Sequence, residues 1–174
     1  PYPDWLRCIL VGGGPVPWPL LEECGARGLT VVQTYGLTET ASQVTTLSPA
    51  DALRKLGSAG KPLLSSEIAI ISPGKMKEAP RRREDAEEEI LGNEAESAAS
   101  FDRPRLDLSA PRRLCGEISS HSGEIGEILV RGPTVSPGYV GSSTIICDTE
   151  GWFHTGDLGR LDEEGFLYLA GRRD

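Results

Sequence analysis

Long apolar runs are missing. No stretch of the 174 residues is long enough to cross a bilayer as a helix, and the first residues lack the basic-then-apolar pattern of a secretory leader. Positive charge is scarce as well. Eighteen Lys and Arg against 26 Asp and Glu leave a net charge of -8, and no basic stripe stands out, which argues against a nucleic-acid partner. Histidine is limited to His121 and His154, too few for a His-rich metal site. The four cysteines, Cys8, Cys24, Cys115 and Cys147, form no Cys-x-x-Cys pair, and three lie in or beside apolar segments. They read as free thiols of a reducing compartment, so a cytoplasmic location is expected. The length suffices for one sizeable core.

What is present begins with Leu6–Val11, a short apolar run that predicts a strand, closed by Gly12-Gly13-Gly14. Three glycines let a ligand approach the backbone, although a plain loop explains them equally well. Pro19 near a first turn and Gly28 beyond Arg27 punctuate a helix, and Leu29–Thr34 predicts a second strand. Strand, helix, strand at this spacing is a βαβ unit with a parallel sheet. At the carboxyl end of that second strand stands Gln33-Thr34-Tyr35-Gly36-Leu37-Thr38-Glu39-Thr40. Ligands of open α/β sheets bind at this edge. Thr38 and Glu39 would open a helix running through Ala41, Val44 and Leu47, and capping alone accounts for both. Capping does not account for the Tyr35-Gly36 pair before them.

A short helical turn is expected after Ser48, then a loop over Gly57–Pro62 that crosses to a new sheet, then a strand at Glu67–Ile71. Residues 72–122 change character: they carry half of the Lys and Arg, much acid and few aromatics, and read as a charged, disordered insertion. Strands are expected again at Gly126–Gly132, within Ser136–Val140, and at Phe166–Ala170 after a hairpin loop at Asp162–Gly165. The fold class is therefore α/β: a parallel-sheet subdomain over residues 1–62, then an antiparallel, barrel-like subdomain over residues 63–174. Trp152, Phe153 and Tyr168 read as core aromatics, His154 as structural and Arg173 as solvated.

Three signals occur in one order: the Tyr-Gly-x-Thr-Glu box, Thr155-Gly156-Asp157, and Gly171-Arg172-x-Asp174. Together with the glycine triplet they resemble the adenylate-forming superfamily of acyl- and aryl-CoA ligases, luciferases and peptide-synthetase adenylation domains. Within it, Leu6–Pro15, Gln33–Gln43 and Gly57–Leu63 most resemble the o-succinylbenzoate–CoA ligase family of menaquinone biosynthesis. The resemblance implies ATP, Mg²⁺ and coenzyme A, with a carboxylate converted to an acyl-adenylate and then to a thioester. It implies roles for residues as well. Gly12, Gly13 and Gly14 would admit the adenine and the acyl group, with Gln33 and Thr34 beside them. Tyr35 and Gly36 would face the base, and Thr38 the α-phosphate. Glu39 would hold Mg²⁺, Asp157 the ribose hydroxyls and Arg172 phosphate or ribose oxygens. Asp174 would be the hinge to a C-terminal domain of the same chain.

The chain opens without Met and stops in mid-pattern, so a piece of a longer protein is expected, with the phosphate loop before it and the catalytic lysine after it. Such a piece would be inactive alone. Another aryl or fatty acyl-CoA ligase is the alternative within this chemistry. A non-catalytic binding module of the same fold is the alternative from another class. The acyl group and the oligomeric state stay open at this level.

Overall fold

The computed structural model describes residues 2–72, 123–142 and 145–173, all within one compact unit. The charged insertion from residue 73 onward and the hinge position Asp174 lie outside the described residues. The described chain builds two four-stranded sheets.

The first sheet has the order β1-β2-β3-β4. β1 is Ile9–Val11 and β2 is Val31–Leu37, joined by helix α1, Trp18–Ala26, and paired in parallel from Ile9↔Val31 to Val11↔Gln33. Helix α1 ends where the sequence says it should. Gly28 takes φ +74°, its N–H donates to the Gly25 carbonyl (3.0 Å), and the Leu29 N–H reaches the Cys24 carbonyl (2.9 Å). These two bonds and a left-handed glycine make a Schellman stop.

The expected helix after Thr38 does not form. Thr38–Thr40 is a single 3-10 turn, and Ser42–Thr46 is a strand, β3, antiparallel to β2. The turn is stopped by Ala41 at φ 55° and Ser42 at φ 119°, values no helix contains. It is pinned by the buried Thr40 hydroxyl, which accepts the Leu37 N–H at 3.0 Å and lies 2.9 Å from the Leu37 carbonyl. Beyond it, the β-branched run Val44-Thr45-Thr46 favours a strand. Only the β1–β2 pair of this sheet is parallel.

After Leu47 the chain makes the expected helical turn. The Ser48 hydroxyl accepts the Asp51 N–H (3.2 Å) and the Lys55 N–H reaches the Asp51 carbonyl (2.7 Å). The Gly57–Pro62 segment does not cross directly to a new sheet. Its last residues, Lys61–Pro62, first form β4 at the edge of the first sheet, antiparallel to β3.

The second sheet is antiparallel throughout, in the order β5 (Glu67–Ile71), β6 (Gly126–Arg131), β7 (Phe153–Leu161), β8 (Leu167–Arg172). It is an open sheet; among the described residues no ladder closes it into a barrel. The expected strand within Ser136–Val140 is absent, because Pro137-Gly138 turns the chain there and Ser136 caps the turn through Gly138.

The sheets share a core. Tyr35, Val44 and Ala59 from the first pack with Ile70, Ile128, Val130 and Leu167 from the second, all buried. The seam is hydrogen-bonded too: the Ala59 N–H reaches the Leu167 carbonyl and the Leu167 N–H the Gly60 carbonyl, each at 2.8 Å. A second cluster holds Val32, Leu47, Ala52 and Phe166. Lys55, Arg54 and Lys61 surround the Phe166 ring at 4.8, 5.3 and 4.5 Å, so their stems close this end of the core.

Candidate functional site

The end of β2, the 3-10 turn and the loop after β1 enclose an open cleft of about 580 Å³. Its lining includes Gly12, Gly13, Thr34, Gly36 and Thr38, with Leu37, Ala41, Ser42 and Gln43 completing it. A cleft of this size fits a small-molecule ligand. It lies where β1 and β2 end, the edge at which α/β sheets bind ligands. Gly36 is required by packing rather than by rotation. A Cβ there would penetrate the Ser42 carbonyl, because β2 and β3 close tightly at a bulge between Tyr35 and Gly36.

Strand alternation sorts the motif onto two faces. Thr34 and Gly36 face the cleft, whereas Tyr35 points the other way and is only 7 % exposed, packed in the shared core. The ring therefore presents little surface for a stacked base. Its hydroxyl donates to Asp157 Oδ2 at 2.8 Å. Burial pushes this phenol well above its ordinary range, and the negative charge of Asp157 adds to the effect, while Thr155 and the Arg172 cation act against it. Gln33, on the same side as Tyr35, donates to the Ser58 carbonyl at 3.3 Å.

Asp157 sits on β7 directly opposite Arg172 on β8. The Thr155 hydroxyl accepts the Asp157 N–H (3.0 Å) and donates to the Ile128 carbonyl (2.8 Å), which sets the path of Thr155-Gly156-Asp157, a stretch that is part of strand β7 rather than a turn. So the structure gathers Tyr35, Asp157 and Arg172 in one place, and Gly12, Gly13, Thr34, Gly36 and Thr38 in another. Gly14, Gln33, Glu39, Asp157 and Arg172 do not line the cleft.

Glu39 is 9 % exposed. Its Oε1 accepts the Tyr139 hydroxyl at 2.6 Å, and its carbonyl accepts the Ser136 N–H at 2.7 Å, so the 136–139 turn is docked on the 3-10 turn. Carboxylate oxygens are hard donors of the kind a divalent cation takes. Among the described residues no three His, Cys, Asp or Glu side chains gather into a metal cage. A lone carboxylate suits Mg²⁺, which takes one or two carboxylates and completes its shell with water and phosphate oxygens.

Two residues escaped sequence reasoning. Tyr139 has no pattern to reveal its reach. Glu127 does have one: it is an acid within strand β6, directly before the apolar run Ile128-Leu129-Val130, and it is fully buried, a position acids occupy only when paired. Arg173, expected in solvent, is its partner at 3.1 Å. His154 stands between Glu127 (3.4 Å) and Asp148 (3.5 Å), and Trp152 and Phe153 are buried. Tyr168 is partly buried under Arg160, whose guanidinium lies 4.4 Å from its ring. Cys8, Cys24 and Cys147 are free, half-buried thiols. No helix among the described residues is long and apolar enough to cross a membrane.

Comparison with known proteins places this geometry in a lineage. A 2-succinylbenzoate–CoA ligase of Geobacillus kaustophilus is 42 % identical over 99 % of this chain, which spans 27 % of that protein. The o-succinylbenzoate CoA synthetase of Bacillus subtilis, solved with its acyl-adenylate intermediate, superposes with a TM-score of 0.66 at 41 % identity, over 99 % of this chain and 27 % of that one. The same enzyme solved with ATP and magnesium gives 0.63 at 40 % identity, over 98 % and 27 %. The chain thus spans about a quarter of the length of these relatives. The family model described as AMP-binding enzyme matches residues 2–91, just over half of the chain, and the chain therefore belongs to the AMP-binding enzyme family.

Proposed function

We propose that the protein carrying this chain is an ATP-dependent carboxylate–CoA ligase, AMP-forming, and that its acid is o-succinylbenzoate. The observation that carries the reading is the glycine-floored cleft bearing Thr38 at the end of β2, in a chain 41 % identical to an enzyme solved with an acyl-adenylate. The Thr38 hydroxyl donates to the α-phosphate, and the backbone at Gly12 and Gly13 comes close to the nucleotide and acyl group. Asp157 accepts from the ribose hydroxyls, and Arg172, exposed beside it, meets phosphate or ribose oxygens. Glu39 is the residue that would hold Mg²⁺, whose charge would lower the repulsion between carboxylate and phosphate when bound. Catalysis by these residues is positioning and charge neutralisation, since the reaction displaces one anion from another. Asp174 is the proposed hinge, and residues 1–62 and 63–174 are proposed as the ATP-motif and hinge-bearing portions.

The test is pyrophosphate release by the longer natural protein with o-succinylbenzoate, ATP and Mg²⁺. Turnover dependent on all three, and far weaker with fatty acids, is expected. Release with fatty acids but not with o-succinylbenzoate overturns the substrate; no release with any carboxylate overturns the enzyme reading in favour of a binding module. The isolated 174-residue piece is expected to show no turnover.

A further inference from the structure

We propose that Glu127 is a positioning residue for nucleotide binding: from full burial it fixes where Asp157 and Arg172 stand relative to one another. The inference rests on the function proposed above. Glu127 lies on β6, in the interior of the second sheet, and is 0 % exposed. Its Oε1 accepts the Gly156 N–H at 3.2 Å, one residue before Asp157. Its Oε2 accepts Arg173 Nη1 at 3.1 Å, one residue after Arg172. The Arg173 N–H closes the circuit by donating to the Gly156 carbonyl at 2.7 Å. One carboxylate thus grips the immediate neighbours of both proposed nucleotide ligands, and those neighbours grip each other. His154 Nδ1, 3.4 Å from Oε2, borders the same carboxylate.

Stability gives a poor reason for an acid at this point. A buried ion pair is often no better than an apolar residue of the same volume, because desolvation offsets the attraction. What the carboxylate supplies and a leucine would not is direction. It has two acceptor oxygens at fixed separation, each aimed at a different strand. The backbone of Gly156 and the side chain of Arg173 can satisfy both only in one mutual arrangement. Asp157 and Arg172 are then presented as a set.

The experiment uses the longer natural protein and the variants Arg173→Ala, Arg173→Lys, Glu127→Gln and the double variant Glu127→Gln/Arg173→Ala. ATP affinity is measured by calorimetry, and KM and kcat by pyrophosphate release. Arg173 is partly exposed, so its variants should fold even where Glu127→Gln does not. Arg173→Ala and Glu127→Gln are each expected to weaken ATP binding roughly tenfold, the loss of about one charge-assisted hydrogen bond. The double variant should be no worse than the worse single, Arg173→Lys should recover most of the affinity, and the KM for the carboxylate should stay put. Wild-type ATP affinity in a folded Arg173→Ala variant overturns the role, as do multiplying effects in the double variant or a carboxylate KM that moves with that for ATP. A wild-type protein that binds no ATP overturns the function proposed above instead.

Discussion

The two faces of β2 solve different problems. On one face the cleft is built from backbone and small side chains: Gly12, Gly13, Thr34, Gly36 and Thr38. On the other, Tyr35 reaches across to Asp157 of the second sheet, where the site is wired by buried and half-buried groups, Glu127 bonding the Gly156 N–H and Arg173. The first makes room by omission and is vulnerable to any added atom. The second holds position by charge and hydrogen bonding and is vulnerable to any removed one. A ligand that uses both would meet a shaped void and a fixed set of polar groups at once.

The comparison breaks most severely at Gly36. Gly36→Ala places a methyl group inside the Ser42 carbonyl, so β2 and β3 must part. A loss on the order of 3 kcal/mol or more is expected from urea unfolding, with ATP binding lost as well. On the wired face, Asp157→Ala should cost on the order of tenfold to a hundredfold in kcat/KM for ATP while leaving the carboxylate KM near wild type, because it removes hydrogen-bond acceptors without touching the cleft. Equal losses for both substrates would show that the two faces are not separable.

Tyr35→Phe sharpens the comparison at smaller scale. It removes the hydroxyl that reaches Asp157 and should cost about 1 kcal/mol at neutral pH. It should also change the alkaline limb of stability. The Tyr35 phenol is raised in the folded state, first by burial, so it is un-ionised in both states below about pH 10, where its contribution is full. Above that pH the unfolded chain ionises first and the contribution is lost. Urea midpoints from pH 8 to 11 should therefore fall more steeply for the wild type than for Tyr35→Phe; parallel curves would contradict this placement.

The smallest expected effect has the opposite sign. Thr45 is fully buried and its hydroxyl has no hydrogen-bond partner. Thr45→Val should raise stability by up to about 1 kcal/mol in thermal unfolding, since a methyl group replaces a stranded hydroxyl of similar size.

Sequence patterns revealed β5, β6 and β8 of the second sheet, because their apolar runs are short, contiguous and bounded by Gly or Ser, whereas β7 was not named as a strand, since its Thr155-Gly156-Asp157 stretch reads as a turn. Glu67–Ile71 and Gly126–Arg131 are the clearest cases. The helix after β1 was equally legible from Pro19 and Gly28. The stretch after Thr38 was not. Capping residues opened it, and Ala41, Val44 and Leu47 recur at a helical spacing, yet the tight turn at Thr40 and pairing with β2 override that spacing. The bulge adds to the confusion by burying Val44 and Thr45 side by side, which interrupts strand alternation. At the site, the family resemblance implied that Tyr35, Thr38, Asp157 and Arg172 serve one nucleotide; Asp157 does meet Tyr35, but neither Asp157 nor Arg172 lines the cleft with Thr38. The split between the two faces of β2 followed only from the pleat. Tyr139 and Arg173 were out of reach, since a long side chain's partner depends on which loop folds over it.

The bulge between Tyr35 and Gly36 also works as a phase shift along β3. Before it, Ser42 and Gln43 belong to the cleft; after it, Val44 and Thr45 belong to the core. A strand without that extra residue would couple the two sets through one alternation, so that every change of register in one would invert the other. With it, the rim of the cleft can drift in sequence while the interior stays in step, and ligand preference becomes a trait that selection can edit without renegotiating the fold.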